Sequence, residues 1–186
     1  MLIENIKFRI KHQQPFDKDN INEKLKPINH LFDEIIIRSL SCVLKNDEKG
    51  YRITVNRNFI DFELKGVEDR DIVKVVINTL GLYGIAEDAK LTFIVKSNNF
   101  IKSFNNLFKD IPQDVNSEFI GFKYSINDIN YYISMLLNVE DKLVCRIGLS
   151  LNGIDLDNII EQLEEQNVIV NEKIIPLVKN FIEGVV

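Results

Sequence analysis

The sequence predicts an α+β fold in which a mainly antiparallel sheet carries helices packed on one of its faces. Three observations lead to this prediction. Several segments alternate apolar and polar residues, as strands with one buried face do. Other segments place apolar residues three and four positions apart, as amphipathic helices do. Turn-forming residues separate these segments, and no linker rich in Gly, Ser or Pro divides the chain.

The first half of the chain predicts a strand followed by a helix. Residues 6–11 read Ile-Lys-Phe-Arg-Ile-Lys, a strict alternation with one apolar and one basic face. Apolar residues then recur at helical spacing from Ile21 to Leu31. Asp17 or Asp19 is suited to cap this helix, and Pro27 should kink it or delay its start.

A three-stranded meander and a second helix are predicted next. Residues 34–45 read as one long strand, and residues 46–50 have the composition of a turn. Two further alternating strands reach residue 65. A helix capped by Asp69 or Asp71 follows, with its inward residues at helical spacing from Ile72 to Leu80, and Gly81 stands where a C-terminal glycine belongs.

The second half predicts the same order of elements and one helix more. Its last helix contains Pro176, which is expected to kink that helix or delay its start. The predicted elements are a strand at 91–95, a helix from Asn98 or Asn99, strands at 118–126, 131–137 and 143–151, a helix opened by Asp155 or Asp157, and a last helix at 172–183.

The order strand, helix, three strands, helix thus occurs twice, and an extra helix ends the second copy. We therefore predict an internal duplication with halves at 1–84 and 85–186. Each half offers one apolar sheet face and two helices with an apolar stripe. The economical packing is a single domain in which both halves share one sheet. Two independent domains are the alternative.

Composition excludes several classes of protein. The chain has 186 residues, 45% hydrophobic residues and a net charge of −5, which excludes a disordered chain. Two cysteines cannot form a disulfide framework, and we expect the reducing cytoplasm. Apolar runs are far shorter than a membrane span, and the first ten residues lack the apolar core of a signal peptide. The 28 Ile and 21 Asn indicate a low-GC genome.

No residue pattern in the chain is typical of a catalytic or metal site. His12 and His30 are eighteen residues apart, and no zinc-binding or phosphate-loop motif occurs. Cys42 and Cys145 lie within apolar strands, where a thiol behaves as a small hydrophobic group. We therefore predict no catalytic residue, no metal and no cofactor, and an enzyme is the less favoured class.

Charge is distributed unevenly, which points to a binding function. Residues 1–66 carry 12 basic and 10 acidic residues, a net charge of +2, so residues 67–186 carry the remaining −7. We predict a non-catalytic protein-binding module, of the inhibitor, immunity or accessory-subunit type. Its acidic, partly apolar surface near the C-terminus would meet a basic protein or a second copy of the chain. The residues of this acidic helical surface are Asp155, Asp157, Glu161, Glu164, Glu165 and Phe181.

Two alternatives are carried forward. The first is a nucleic-acid-binding protein, because basic residues line the first strand and the meander that follows it. The second is a binder of a small apolar ligand, since the chain has 12 Phe and 5 Tyr. The residues that would bind nucleic acid are Lys7, Arg9, Lys11, Arg52 and Arg57.

Overall fold

The computed structural model describes residues 1–12, 17–66, 70–97, 119–137 and 143–184. The strands are β1 (Leu2–Lys11), β2 (Glu34–Ile37), β3 (Ser41–Asn46), β4 (Tyr51–Asn56), β5 (Phe59–Leu64), β6 (Ile85–Ser97), β7 (Phe119–Ile126), β8 (Ile129–Leu137) and β9 (Leu143–Asp155). The helices are α1 (Lys18–Leu25), a 3₁₀ segment (Lys26–Leu31), α2 (Asp71–Leu80), α3 (Ile159–Ile169), a π-helical segment (Val170–Ile174) and α4 (Ile175–Glu183).

The nine strands form one antiparallel sheet in the order β2-β3-β4-β5-β1-β6-β9-β8-β7. This sheet and the C-terminal helix confirm the predicted α+β class. The chain also divides into two compact units. The larger unit comprises Asn5–Leu91 and Ser150–Glu164, and the smaller unit comprises Met1–Glu4, Thr92–Leu149 and Glu165–Val186.

The core of the larger unit is built on the alternation in β1. Antiparallel pairing sets Phe8 opposite Phe62 and Ile10 opposite Ile60, and these four side chains are at most 1% exposed. The rings of Phe8 and Phe62 stack with centroids 6.1 Å apart. Because directly opposed residues share a face, β5, β4 and β3 extend the same apolar face.

The helices of the larger unit contribute further buried side chains, and their ends follow known rules. Asp17 caps α1, since its carboxylate accepts the Asp19 N–H at 3.0 Å. Gly81 ends α2 at a φ of 72°, as predicted. The ammonium of Lys24 joins the two helices by donating to the Leu80 carbonyl at 2.6 Å.

The first half contains one strand more than predicted. Residues 34–45 do not form one strand, because the chain reverses after Ile37 and β2 pairs with β3. The Arg38 N–H closes this turn on the Ser41 carbonyl at 2.8 Å. The second predicted copy cannot be compared fully, because the helix expected from Asn98 or Asn99 lies outside the described residues. The internal duplication therefore stays a prediction.

Both helix-interior prolines change the type of helix. The 3₁₀ segment begins just before Pro27, so α1 ends at Leu25. Near the C-terminus the helical run is continuous from Ile159 to Glu183, whereas the sequence predicts two separate helices. The π-helical segment lets the Ile175 N–H reach the Val170 carbonyl, and Pro176 then occupies the first turn of α4.

The smaller unit is built around the β7–β8 hairpin and the last helices. Asn127 and Asp128 turn the chain at φ values of 49° and 63°, as a two-residue hairpin turn requires. The buried Tyr131 hydroxyl donates to the Gln166 side-chain oxygen at 2.7 Å. Burial, and to a smaller extent the charge of Glu165, raises the pKa of Tyr131, so this hydroxyl stays protonated.

Within the described residues, no helix has the length and apolar character needed to cross a membrane.

The two faces of β5 can be compared directly, because Phe62 is buried and Phe59 lies on the opposite face. We expect Phe62→Ala to lower the free energy of unfolding by about 3–5 kcal/mol, since it removes a buried ring. Phe59→Ala should cost about 1 kcal/mol or less, because that ring is only partly buried. Urea unfolding measures both values. Equal losses would contradict the assignment of the faces.

Candidate functional site

The second face of the sheet in the larger unit carries mainly polar side chains, with Val43 buried among them, and we call it the open face. The register of β1 to β5 places its charged residues opposite one another. They number five basic and three acidic side chains, so these strands give the open face a net charge of +2 in a chain of net charge −5. The charged residues are Lys7, Arg9, Lys11, Lys45 and Arg52 against Glu34, Asp61 and Glu63.

Three cations of the open face form ion pairs across neighbouring strands. Lys7 contacts Glu63 at 2.8 Å, and Lys45 contacts Glu34 at 2.5 Å. Arg9 donates two hydrogen bonds to Asp61, at 2.5 and 2.9 Å. These side chains are 28–50% exposed, and such pairs contribute about 0–1 kcal/mol each. Their main effect is therefore to orient the side chains.

Arg9 also contacts an aromatic ring. Its guanidinium carbon lies 4.1 Å from the centroid of the Phe59 ring. The hydrogen bond with Asp61 raises the pKa of Arg9, which outweighs the opposite effect of burial, and the attraction of the Asp61 charge adds to the rise. Arg9 is thus a permanent cation whose planar group is fixed by Asp61 and Phe59.

A pocket of about 170 Å³ opens beside this contact, and we call it the Phe59 pocket. Its cations come from β1 and β6, and its ring comes from the start of β5. Lys90 is exposed and has no ion pair within the described part of the chain. The residues that line the Phe59 pocket are Arg9, Lys11, Asn58, Phe59 and Lys90.

A second pocket of about 350 Å³ lies on the larger unit where β3 turns into β4. Its lining includes Lys45, Arg52 and Glu63 of the open face, together with Asn5. The Asn5 side-chain oxygen is buried and has no hydrogen-bond partner among the described residues. Arg52 is exposed and has no ion pair there either. Both ends of the open face therefore combine a pocket with a cation available to a ligand.

The structure brings most of the predicted basic residues together. Lys7, Arg9, Lys11 and Arg52 share the open face. Arg57 is exposed in the turn between β4 and β5, next to Asn58 of the Phe59 pocket.

Half of the predicted acidic helical surface is used in contacts within the fold. The Asp155 carboxylate accepts the Asp157 N–H at 3.0 Å and the Asn158 amide at 2.7 Å, which closes the turn before α3. Glu164 forms an ion pair with Arg70 at the start of α2. These contacts lie within the larger unit.

In the smaller unit, Phe181 packs against another ring of the fold. Its centroid lies 5.2 Å from that of Phe122 in β7, and its side chain is partly buried.

The other acidic residues are exposed. Asp157 and Glu161 belong to the larger unit, and Glu165 belongs to the smaller one. Val168 in the smaller unit is also exposed, at 49%, although it was not among the predicted binding residues.

The described residues contain no cluster of three or more His, Cys, Asp or Glu that could hold a metal ion. His30 is exposed in the 3₁₀ segment, and the ring nitrogen Nε2 of His12 lies 2.9 Å from the Asn56 carbonyl. Cys42 and Cys145 are both buried. Burial raises the pKa of Cys42 to about 11 and that of Cys145 to about 12.

Sequence reasoning missed three residues of the Phe59 pocket. Asn58, Phe59 and Lys90 are not among the basic residues that the sequence predicts to bind nucleic acid. The alternation of Lys90 with Leu91 is the signal that could have extended β6 toward its start.

Comparison with known proteins does not assign the chain to a family. No protein-family model matches the chain, and no curated protein matches it.

The reactivity of the two thiols tests whether either cysteine can act as a nucleophile. At pH 8 a thiol with a pKa of about 11 is ionised in roughly one molecule in a thousand. We therefore expect neither Cys42 nor Cys145 to react with iodoacetamide in the native protein, and both to react after unfolding. Mass spectrometry after a timed reaction measures this. Rapid native alkylation of either thiol would contradict the assignment.

Proposed function

We propose that this chain is a non-catalytic binding module that holds single-stranded nucleic acid on its open face. The observation that carries the proposal is the charge of the open face. Its strands give it a net charge of +2, although the whole chain has a net charge of −5. A polyanion gains most from such a local surface, because the attraction depends on nearby charges rather than on the net charge.

The placement of the cations supports an extended ligand. Arg52 on β4 and Lys90 on β6 are separated by three strand spacings, about 14 Å measured across the sheet alone, and they are also offset along the strands. Both lack an ion pair within the described residues, so a ligand phosphate would not have to displace any carboxylate that the structure describes there. Arg9 lies between them on β1. A strand of several nucleotides could contact all three positions.

The aromatic ring favours a single strand over a duplex. Proteins that bind single strands combine a positive surface with aromatic or guanidinium planes on which bases stack. The Arg9 guanidinium lies over the Phe59 ring, so these two planes stack on each other and a base would stack on the outer side of the pair. In a duplex the bases are paired and stacked with one another, so these planes would have no base to contact.

A direct test uses a labelled oligouridylate of about 12 nucleotides, within the range of known site sizes. We expect binding that weakens with salt, with a log–log slope of about −0.7 for each phosphate neutralised. Arg52→Glu should weaken binding by about tenfold, because it replaces one attraction by a repulsion. Fluorescence anisotropy measures both effects.

The matched control is Lys74→Glu, which makes the same charge change at an exposed position of α2. It should leave the affinity within about twofold of wild type. No binding at low salt, or equal losses in both variants, would overturn the proposal.

The second candidate is the predicted protein-binding module with its acidic helical surface. The observation in its favour is that Asp157, Glu161 and Glu165 remain exposed. Its weakness is that Asp155, Glu164 and Phe181 already contact residues of the fold. The third class, a binder of a small apolar ligand, is less favoured, since cations line both pockets and a charged ligand would use them.

The second candidate makes its own prediction. If a basic protein binds the acidic residues, Glu161→Lys combined with Glu165→Lys should abolish its retention without lowering the thermal stability. Glu48→Lys, at an exposed position of the β3–β4 turn, is the control and should retain it. Native mass spectrometry of the protein recovered from its host measures the added mass. Retention by the double variant would exclude this surface.

A further inference from the structure

We propose that the Phe59 pocket holds one nucleotide of the bound strand, with the base against the Arg9 and Phe59 side chains and the phosphate at Lys90. The inference rests on the proposed function. It specifies the part of the open face that would recognise a whole nucleotide, whereas the rest of the face would attract only the phosphate charge.

The pocket is assembled by strand pairing, so its parts have fixed positions. Lys11 and Phe59 are directly opposed residues of β1 and β5. Arg9 is two residues before Lys11 and therefore shares its face. Lys90 comes from β6, the neighbour of β1 on its other side. Asn58 precedes β5 in the turn from β4.

The Arg9 guanidinium has a set orientation before any ligand binds. Two hydrogen bonds to Asp61 hold the group, and it lies 4.1 Å from the Phe59 ring centroid. Guanidinium planes are surfaces on which unstacked bases pack. Because the orientation exists without ligand, little conformational entropy is lost when a base stacks there.

The charges of the pocket are suited to one phosphate. Arg9 is balanced by Asp61, so it supplies a planar surface with little net charge. Lys90 brings an ammonium without an ion pair among the described residues, and Lys11 brings a second ammonium to the lining. The amide of Asn58 adds donors and an acceptor, which could hydrogen bond to the edge of a base.

The size of the pocket limits its occupant. Sites for drug-sized ligands run from about 300 to 1,000 Å³, so a pocket of about 170 Å³ is too small for a ligand of that size. It can accept one planar ring, with the phosphate at its rim. The aliphatic stems of the lysines and the Phe59 ring give the ring an apolar contact. Inorganic phosphate would use only the rim.

The experiment compares four probes by isothermal titration calorimetry: uridine monophosphate, uridine, ribose 5-phosphate and inorganic phosphate. Because the pocket would bind base and phosphate together, we expect the nucleotide to bind about tenfold or more tightly than each of the other three. It should also displace the labelled oligouridylate. Equal binding of inorganic phosphate and the nucleotide would overturn the inference.

Variants locate the site. Lys90→Glu should weaken nucleotide binding by about tenfold, and Lys90→Arg should preserve it. Phe59→Leu should weaken the nucleotide but leave inorganic phosphate unchanged, because it removes the ring and no charge. Lys74→Glu is again the control. Unchanged nucleotide binding in Lys90→Glu and Phe59→Leu would overturn the inference.

The outcomes also separate this inference from the proposed function. If the oligonucleotide binds and Arg52→Glu weakens it, while the nucleotide neither binds nor competes, the Phe59 pocket is excluded and the proposed function stands. If the nucleotide binds in the pocket but the oligonucleotide does not bind, the pocket stands as a mononucleotide site and the proposed function fails.

Discussion

The register between β1 and β5 is the constraint on which the rest of the larger unit depends. It places Phe8 opposite Phe62 on the buried face, and therefore Arg9 opposite Asp61 on the open face. A slip of one residue would turn every side chain of β1 to the other face. Lys7, Arg9 and Lys11 would then enter the core, where an unpaired charge is far more costly than a lost apolar contact. The core thus fixes the position of the charges that the open face presents.

The same register explains how a basic stripe exists in an acidic protein. Asp61 and Glu63 lie directly opposite Arg9 and Lys7 and reduce the repulsion among the cations. The pairing does not remove the positive charge of the face, since Arg52 and Lys90 lack ion pairs within the described residues. Lys7 and Arg9 are oriented by their ion pairs, whereas Arg52 and Lys90 remain available to a ligand. Recognition of a base and attraction of a phosphate would draw on these two groups separately.

Local patterns allowed much of the fold to be predicted, and contacts between distant residues account for what was missed. The alternation in β1 indicated both its faces, and Gly81 indicated the end of α2, because each signal depends only on neighbouring residues. The turn that separates β2 from β3 has no Gly, Pro or Asn, and Ser39 alone is a weak turn signal within an otherwise apolar segment.

The candidate site could be predicted only in part for the same reason. The sequence indicated Arg9 as a member of a basic stripe, but not its contacts with Asp61 and Phe59 on another strand. Likewise, the ion pair of Glu164 with Arg70 joins residues ninety-four positions apart, and no spacing rule foresees it. Because of these contacts, we favour the open face over the acidic helical surface as the binding site.

The most direct test of nucleic-acid binding on the open face is an NMR titration of the isotopically labelled chain with unlabelled oligouridylate. We predict that chemical-shift changes concentrate on Arg9, Arg52, Phe59 and Lys90, which share the open face or its pocket. Residues of α2 and α3 should shift little. Changes confined to Glu161 and the rest of α3, or no saturable change at low salt, would contradict it.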